Sequence, residues 1–153
     1  AVAQAKANRG AQLRPVVLAP VTPTPSGEWR SPIEVDPFDV PVADKVALLL
    51  AANEAAMKVT GVRFVNSNMS FLREEKTFAS TDGTYTVQTL YRATPGMNIT
   101  AVSPDFSDFQ SVQSAEIPPK GLGYEHVTQA DLVTNAAKWA QQAVEKLKAK
   151  PVE

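Results

Sequence analysis

The sequence predicts an α+β domain: an antiparallel β-meander packed with two main amphipathic helices and preceded by a proline-rich strap. Three observations point there. Residues 39–59 and 128–149 place apolar side chains at helical spacing. Residues 62–115 instead alternate β-branched and aromatic residues with Ser, Thr, Asn and Gln. Prolines gather ahead of the first long helix, where neither regular element tolerates them. At 153 residues, 44% hydrophobic and 20% charged, the chain suits one globular domain burying roughly 70% of its unfolded surface.

The opening "AVAQAKANRG" reads as the end of a helix over residues 1–10, with Lys6 and Arg9 near its negative pole and Gly10 at its terminus. Pro15, Pro20, Pro23, Pro25 and Pro32 remove backbone donors and fix φ, so residues 11–32 are expected to form a strap pinned by Val16, Val17, Leu18 and Trp29. A proline-rich peptide ligand is the alternative use of that stretch. The helix over 39–59 takes Asp39 as its cap, Pro41 in its first turn and Asp44 at the positive end of its dipole. Val42, Val46, Leu49, Leu50, Asn53 and Met57 define its expected buried face, with Met57 in the core, and Gly61 follows its end.

Within 62–115, "TDG" (Thr81–Gly83) and "TPG" (Thr94–Gly96) carry turn chemistry and divide the segment into three or four strands. A further short strand is expected near Phe109–Ser114, before a Pro/Gly loop. The helix over 128–149 starts from a capping box of Thr128 and Asp131. Its buried face is expected to hold Leu132, Ala136, Trp139, Ala143 and Leu147, broadened by Val133, Ala140 and Val144.

The charge balance, −1 overall, supplies no basic surface for nucleic acid, and no apolar run approaches the length of a membrane span. "REEKTFASTDGTY" (Arg73–Tyr85) raises the question of a catalytic carboxylate pair. Neighbours on a strand point to opposite faces, so Glu74 and Glu75 do not converge while extended. At a bend both face water, and Arg73 and Lys76 neutralise them; this solvated bend is the expected structure. Cysteine is absent and His126 is the single histidine, so neither a zinc ligand set nor a Ser–His–Asp or Cys–His nucleophile system is complete in this chain. His126 is expected as a surface or capping-region residue near a helix start. Asn68 and Asn98 match the glycosylation sequon but fall inside expected strands. No catalytic and no metal-ligating residue is assigned.

Three stretches, "WRSPIEVDPFDVPVADKVALLLAANEA", "VRFVNSNMSFLREEKTFASTDGTYTVQTLYRATPG" and "GLGYEHVTQADL", together resemble the N-terminal domain of the TldD/PmbA family, described as zinc metallopeptidases and as modulators of DNA gyrase. The resemblance spans most of the chain after Trp29, and "EEKTFASTDGTY" is its most specific part. It implies that residues 1–153 form a single domain, a fragment of a larger two-domain bacterial protein, and both chain ends read as cuts through it. In the family a His-Glu-x-x-x-His helix and a Cys hold zinc C-terminal to this region, so zinc is expected in the parent rather than here. The resemblance further implies a cytoplasmic homodimer or heterodimer that encloses a chamber and cleaves unfolded or modified peptides. This segment would then help build the chamber and admit an extended peptide, by strand addition at an exposed sheet edge. Gln88, Thr89 and Arg92 are the candidate groove residues. The alternative is a stand-alone α+β binding or assembly module, or a catalytically inactive partner subunit.

Overall fold

The structure, a computed structural model, describes residues 1–14, 17 and 19–149. Its elements run α1 (Val2–Gly10), β1 (Gly27–Arg30), α2 (Val42–Met57), β2 (Val62–Ala79), β3 (Tyr85–Val102), β4 (Phe109–Gln113), α3 (Glu125–Gln129) and α4 (Leu132–Lys146). The α+β class stands, but the sheet is mixed. β2 and β3 form one long antiparallel hairpin, and β4 adds antiparallel to β3. β1, drawn from the proline-rich strap, joins β3 in parallel.

The hairpin turns where "TDG" predicts it. Ser80 N–H donates to Thr84 O at 3.0 Å, and Gly83 adopts φ +96, a conformation that a side chain would strain. Two other expected breaks are absent. Glu74 and Glu75 sit in uninterrupted strand, opposite Leu90 and Thr89, so the solvated bend is replaced by a solvated strand. Thr94–Gly96 likewise continues through β3, with Pro95 opposite Met69.

Pro95 is tolerated because of where the outer edge of β3 finds its partners. Over Thr86–Thr89 that edge is taken by β1, and over Asn98–Val102 by β4. Between them Ala93 exchanges hydrogen bonds with Lys120, and Met97 N–H donates to Ser114 Oγ. Alternate residues of a strand point their N–H groups the same way. The nitrogen of Pro95 therefore faces the gap between these two contacts, where no donor is called for.

α2 and α4 cover one face of the sheet. Ala52 and Ala56 of α2 meet an alanine-rich α4, and Ala136, Trp139, Ala140 and Ala143 close over Met97, Ile99 and Ala101 of β3. Small residues let the helices approach closely, and Trp139 fills the space that remains. The α2 face differs from the expected one. Val42 (71% exposed), Val46, Leu50 and Met57 (49% exposed) point outward, so Met57 is not core; Leu48, Leu49, Ala52, Ala55 and Ala56 turn inward. An apolar run such as "VALLLAA" is hydrophobic nearly all round, and the fit against α4 selects the alanine side.

The capping expectations also change. Pro41, not Asp39, is the N-cap of α2, and no side chain caps it. The helix over 128–149 is broken into α3 and α4 by Asp131 at φ +39, and there is no capping box. Thr128 Oγ1 instead donates back to Glu125 O at 3.0 Å. In the strap, Val17 is exposed and Trp29 is 53% exposed, while Val16 and Leu18 lie outside the described residues. The strap is held by polar contacts: Ser31 N–H donates to Thr89 O, and Tyr91 N–H donates to Ser31 Oγ at 3.0 Å. No helix among the described residues is long and apolar enough to cross a membrane.

Candidate functional site

Because strand side chains alternate, the odd-numbered residues of β3 face the helices and the strap, and the even-numbered ones form an open face. Gln88 and Arg92 lie on that open face, opposite Lys76 and Leu72 respectively. Thr89 points to the other side, opposite Glu75 and beside Arg30. The structure thus puts Gln88 and Arg92 on one face, with Leu90 between them, and Thr89 on the other. All three sit on an interior strand, paired by β2 and, at Gln88 and Thr89, by β1, so they do not border an edge open to strand addition. Among the described residues β2 presents the longest unpaired edge, while the short strands β1 and β4 are unpaired on their sides away from β3.

Two hollows mark the open face. One of about 410 Å³ is lined by Trp29, Leu72, Glu74, Lys76, Leu90 and Arg92, with Lys76 and Glu74 paired at 3.5 Å. The other, about 440 Å³, has Asn66, Asn68, Gly96, Asn98 and Gln113 as its floor, with Ser114, Ala115, Ile117, Pro118 and Pro119 as its wall. Asn68 and Asn98, the two sequon residues, are exposed in strands on this face.

The opposite face carries a charged cluster between strap and sheet. The buried Tyr91 donates its hydroxyl proton to Asp36 Oδ2 at 2.7 Å and accepts from Arg30 Nη2 at 2.6 Å. Arg30 and Arg73 lie 3.5 and 3.8 Å from the same carboxylate. Burial raises the Asp36 carboxyl, but the Phe38 N–H, the Tyr91 hydroxyl, Arg73 and Arg30 together hold it below its ordinary range. Tyr91 lies 55 residues from Asp36 and 61 from Arg30 in sequence, and no local signal joins it to them.

"GLGYEH" forms a second polar junction. Glu125 is buried; its two carboxylate oxygens accept from Gly123 N–H at 2.6 Å and Val35 N–H at 3.1 Å. Tyr124 N–H donates to Val35 O at 2.9 Å, so the loop is stitched to the strap. Burial pushes the Glu125 carboxyl up, and the N–H groups of Gly123, Glu125, Val35 and Glu34 overcome this and leave it below the usual range. A side chain at position 123 would overlap Val35 O and the Glu125 carboxylate. His126 lies in the first turn of α3, near a helix start as expected, but it is buried, 3% exposed, rather than at the surface, and its Nε2 meets Pro118 O at 2.8 Å. His126 Nε2 and both Glu125 carboxylate oxygens are thus engaged with backbone groups. No group of three or more His, Cys, Asp or Glu among the described residues is arranged to hold a metal.

No curated protein matches the chain. Residues 35–150 match the family model described as the PmbA/TldA metallopeptidase central domain. That description is of a central domain, whereas the resemblance read from the sequence places these residues in the N-terminal one. The match takes in α2, the β2–β3 hairpin, β4, α3 and α4, and on that ground the chain belongs to the PmbA/TldA metallopeptidase family.

Proposed function

We propose that this chain is a non-catalytic segment of a TldD/PmbA-like zinc metallopeptidase that processes unfolded or modified peptides, and that it contributes to the substrate chamber and to dimer assembly. The observation that carries the reading is the family match over residues 35–150, on a chain whose one histidine is engaged with a backbone carbonyl. Zinc is expected in a part of the parent outside these residues, and no step of hydrolysis is assigned to side chains of this segment. Its contribution is geometric. The helices and strap hold the hairpin rigid from one side, and the open face, with Gln88 and Arg92, is turned toward the peptide. The β2 edge is available for a strand of the parent or of a partner subunit.

Zinc content and peptidase activity, measured in parallel on the longer gene product and on this 153-residue chain, test the proposal. About one zinc per long chain, with peptide cleavage abolished by a chelator, and neither property in this chain, is the expected result. Zinc and cleavage absent from the long product would favour an inactive partner subunit. Tight zinc binding with cleavage by this chain alone would overturn the assignment.

A further inference from the structure

Asn66, Asn98 and Gln113 occupy one cross-strand row. Asn98 is paired with Asn66 of β2 on one side and with Gln113 of β4 on the other. Asn68 stands one step along, over Gly96, and its Oδ1 is 3.0 Å from where a Cβ at residue 96 would lie. All of them line the hollow of about 440 Å³, whose wall carries Ile117, Pro118 and Pro119. Two polar groups of the wall are engaged elsewhere: Ser114 Oγ accepts from Met97 N–H, and Pro118 O meets His126 Nε2. Among the described residues, the carboxamides of the floor are left to face the hollow.

A carboxamide presents one acceptor and two donors in a plane, the same pattern as a peptide unit, and it carries no charge. A row of three on adjacent strands spans about 10 Å, at roughly 4.8 Å per strand spacing, which is the length of about three residues of extended chain. Gly96 leaves room in the middle of the floor for the Asn68 carboxamide, which lies over it and adds a further amide group beside the row. The prolines and Ile117 supply apolar contact without competing donors.

We infer that this hollow is a subsite for the main chain of an extended peptide, held through its amide groups and indifferent to its side-chain charge. The inference rests on the peptide-processing reading above and names a place for the peptide distinct from the β2 edge. Such a subsite suits substrates of varied sequence, because every peptide repeats the same amide groups.

The test is a titration of the isotopically labelled 153-residue chain with acetyl-Ala-Val-Ala-Val-Ala-amide, followed by NMR. A second peptide with its central amide nitrogens methylated serves as the comparison. The inference requires the side-chain NH2 signals of Asn66, Asn98 and Gln113 to shift, and the methylated peptide to bind at least about tenfold more weakly. Asn98→Leu and Gly96→Val, each checked for an unchanged fold by its backbone spectrum, should weaken binding by about five- to tenfold. Shifts confined to the backbone amides of β2, with the carboxamides unmoved, would overturn the subsite and leave peptide capture by this segment standing. Equal binding of both peptides would overturn it as well. No binding of either peptide at millimolar concentration would remove both the subsite and capture by this segment.

Discussion

Single residues decide how the strap and the loops are locked to the sheet. Glu125 is the clearest case. Replacing it with Ala leaves the Gly123 and Val35 N–H groups buried without an acceptor, at a cost of about 3 kcal/mol, and Glu125→Gln should cost less. Chemical denaturation would measure both. The same carboxylate imposes a pH dependence. Its folded pKa lies below its ordinary value of 4.5, so its stabilisation is complete above that value and is lost as pH falls through the lower folded one. Asp36 acts in the same sense from 3.8 downward. Thermal unfolding from pH 7 to pH 3 should show the midpoint falling below about pH 4.5, and Glu125→Gln should flatten that fall. Asp131 behaves oppositely. Its φ of +39 is a strain that glycine relieves, so Asp131→Gly should stabilise the chain by about 1 kcal/mol. A lower melting temperature in that variant would show that Asp131 makes a compensating contact.

At the scale of elements, the choice of the alanine face of α2 has consequences for substitution. Leu50 is more than half exposed, so Leu50→Glu should change stability by less than about 0.5 kcal/mol. Ala56 is fully buried against α4, so Ala56→Leu should overpack the helix pair and cost about 2 kcal/mol. The opposite ranking would mean that α2 is rotated on the sheet. The sequence showed that both long helices exist and roughly where they lie. It did not show which side of α2 is buried, because hydrophobic periodicity discriminates poorly in a run that is apolar nearly all round. It also missed the break at Asp131, which depends on a backbone conformation that asparagine and aspartate adopt only when their surroundings favour it.

The whole molecule is a sheet covered on one side and open on the other, with β2 as a long edge strand. Its stretch Phe64–Leu72 carries no charge, proline or glycine, whereas Arg63 and Arg73–Lys76 guard its ends. Such an edge is a template for further pairing. The 153-residue chain should therefore self-associate as its concentration rises, and Ser70→Lys, on the open face of that strand, should suppress the association while keeping the fold. Light scattering after size exclusion would read this; a monomer at every concentration would show the edge to be adequately guarded by its flanking charges.

The sequence by itself determined the α+β class, the hairpin turn at Gly83, the strand near Phe109 and the family, since these depend on local periodicity, turn chemistry and a long pattern of residues. Only the tertiary structure decided the parallel addition of β1, the continuity of β3 through Pro95 and the burial of His126. It alone separated Thr89 from Gln88 and Arg92, and gathered Asn66, Asn98 and Gln113 into one row. Each of these is set by which strand lies beside which, and strand pairing is decided by contacts between residues tens of positions apart, whose energies leave no trace in local sequence spacing.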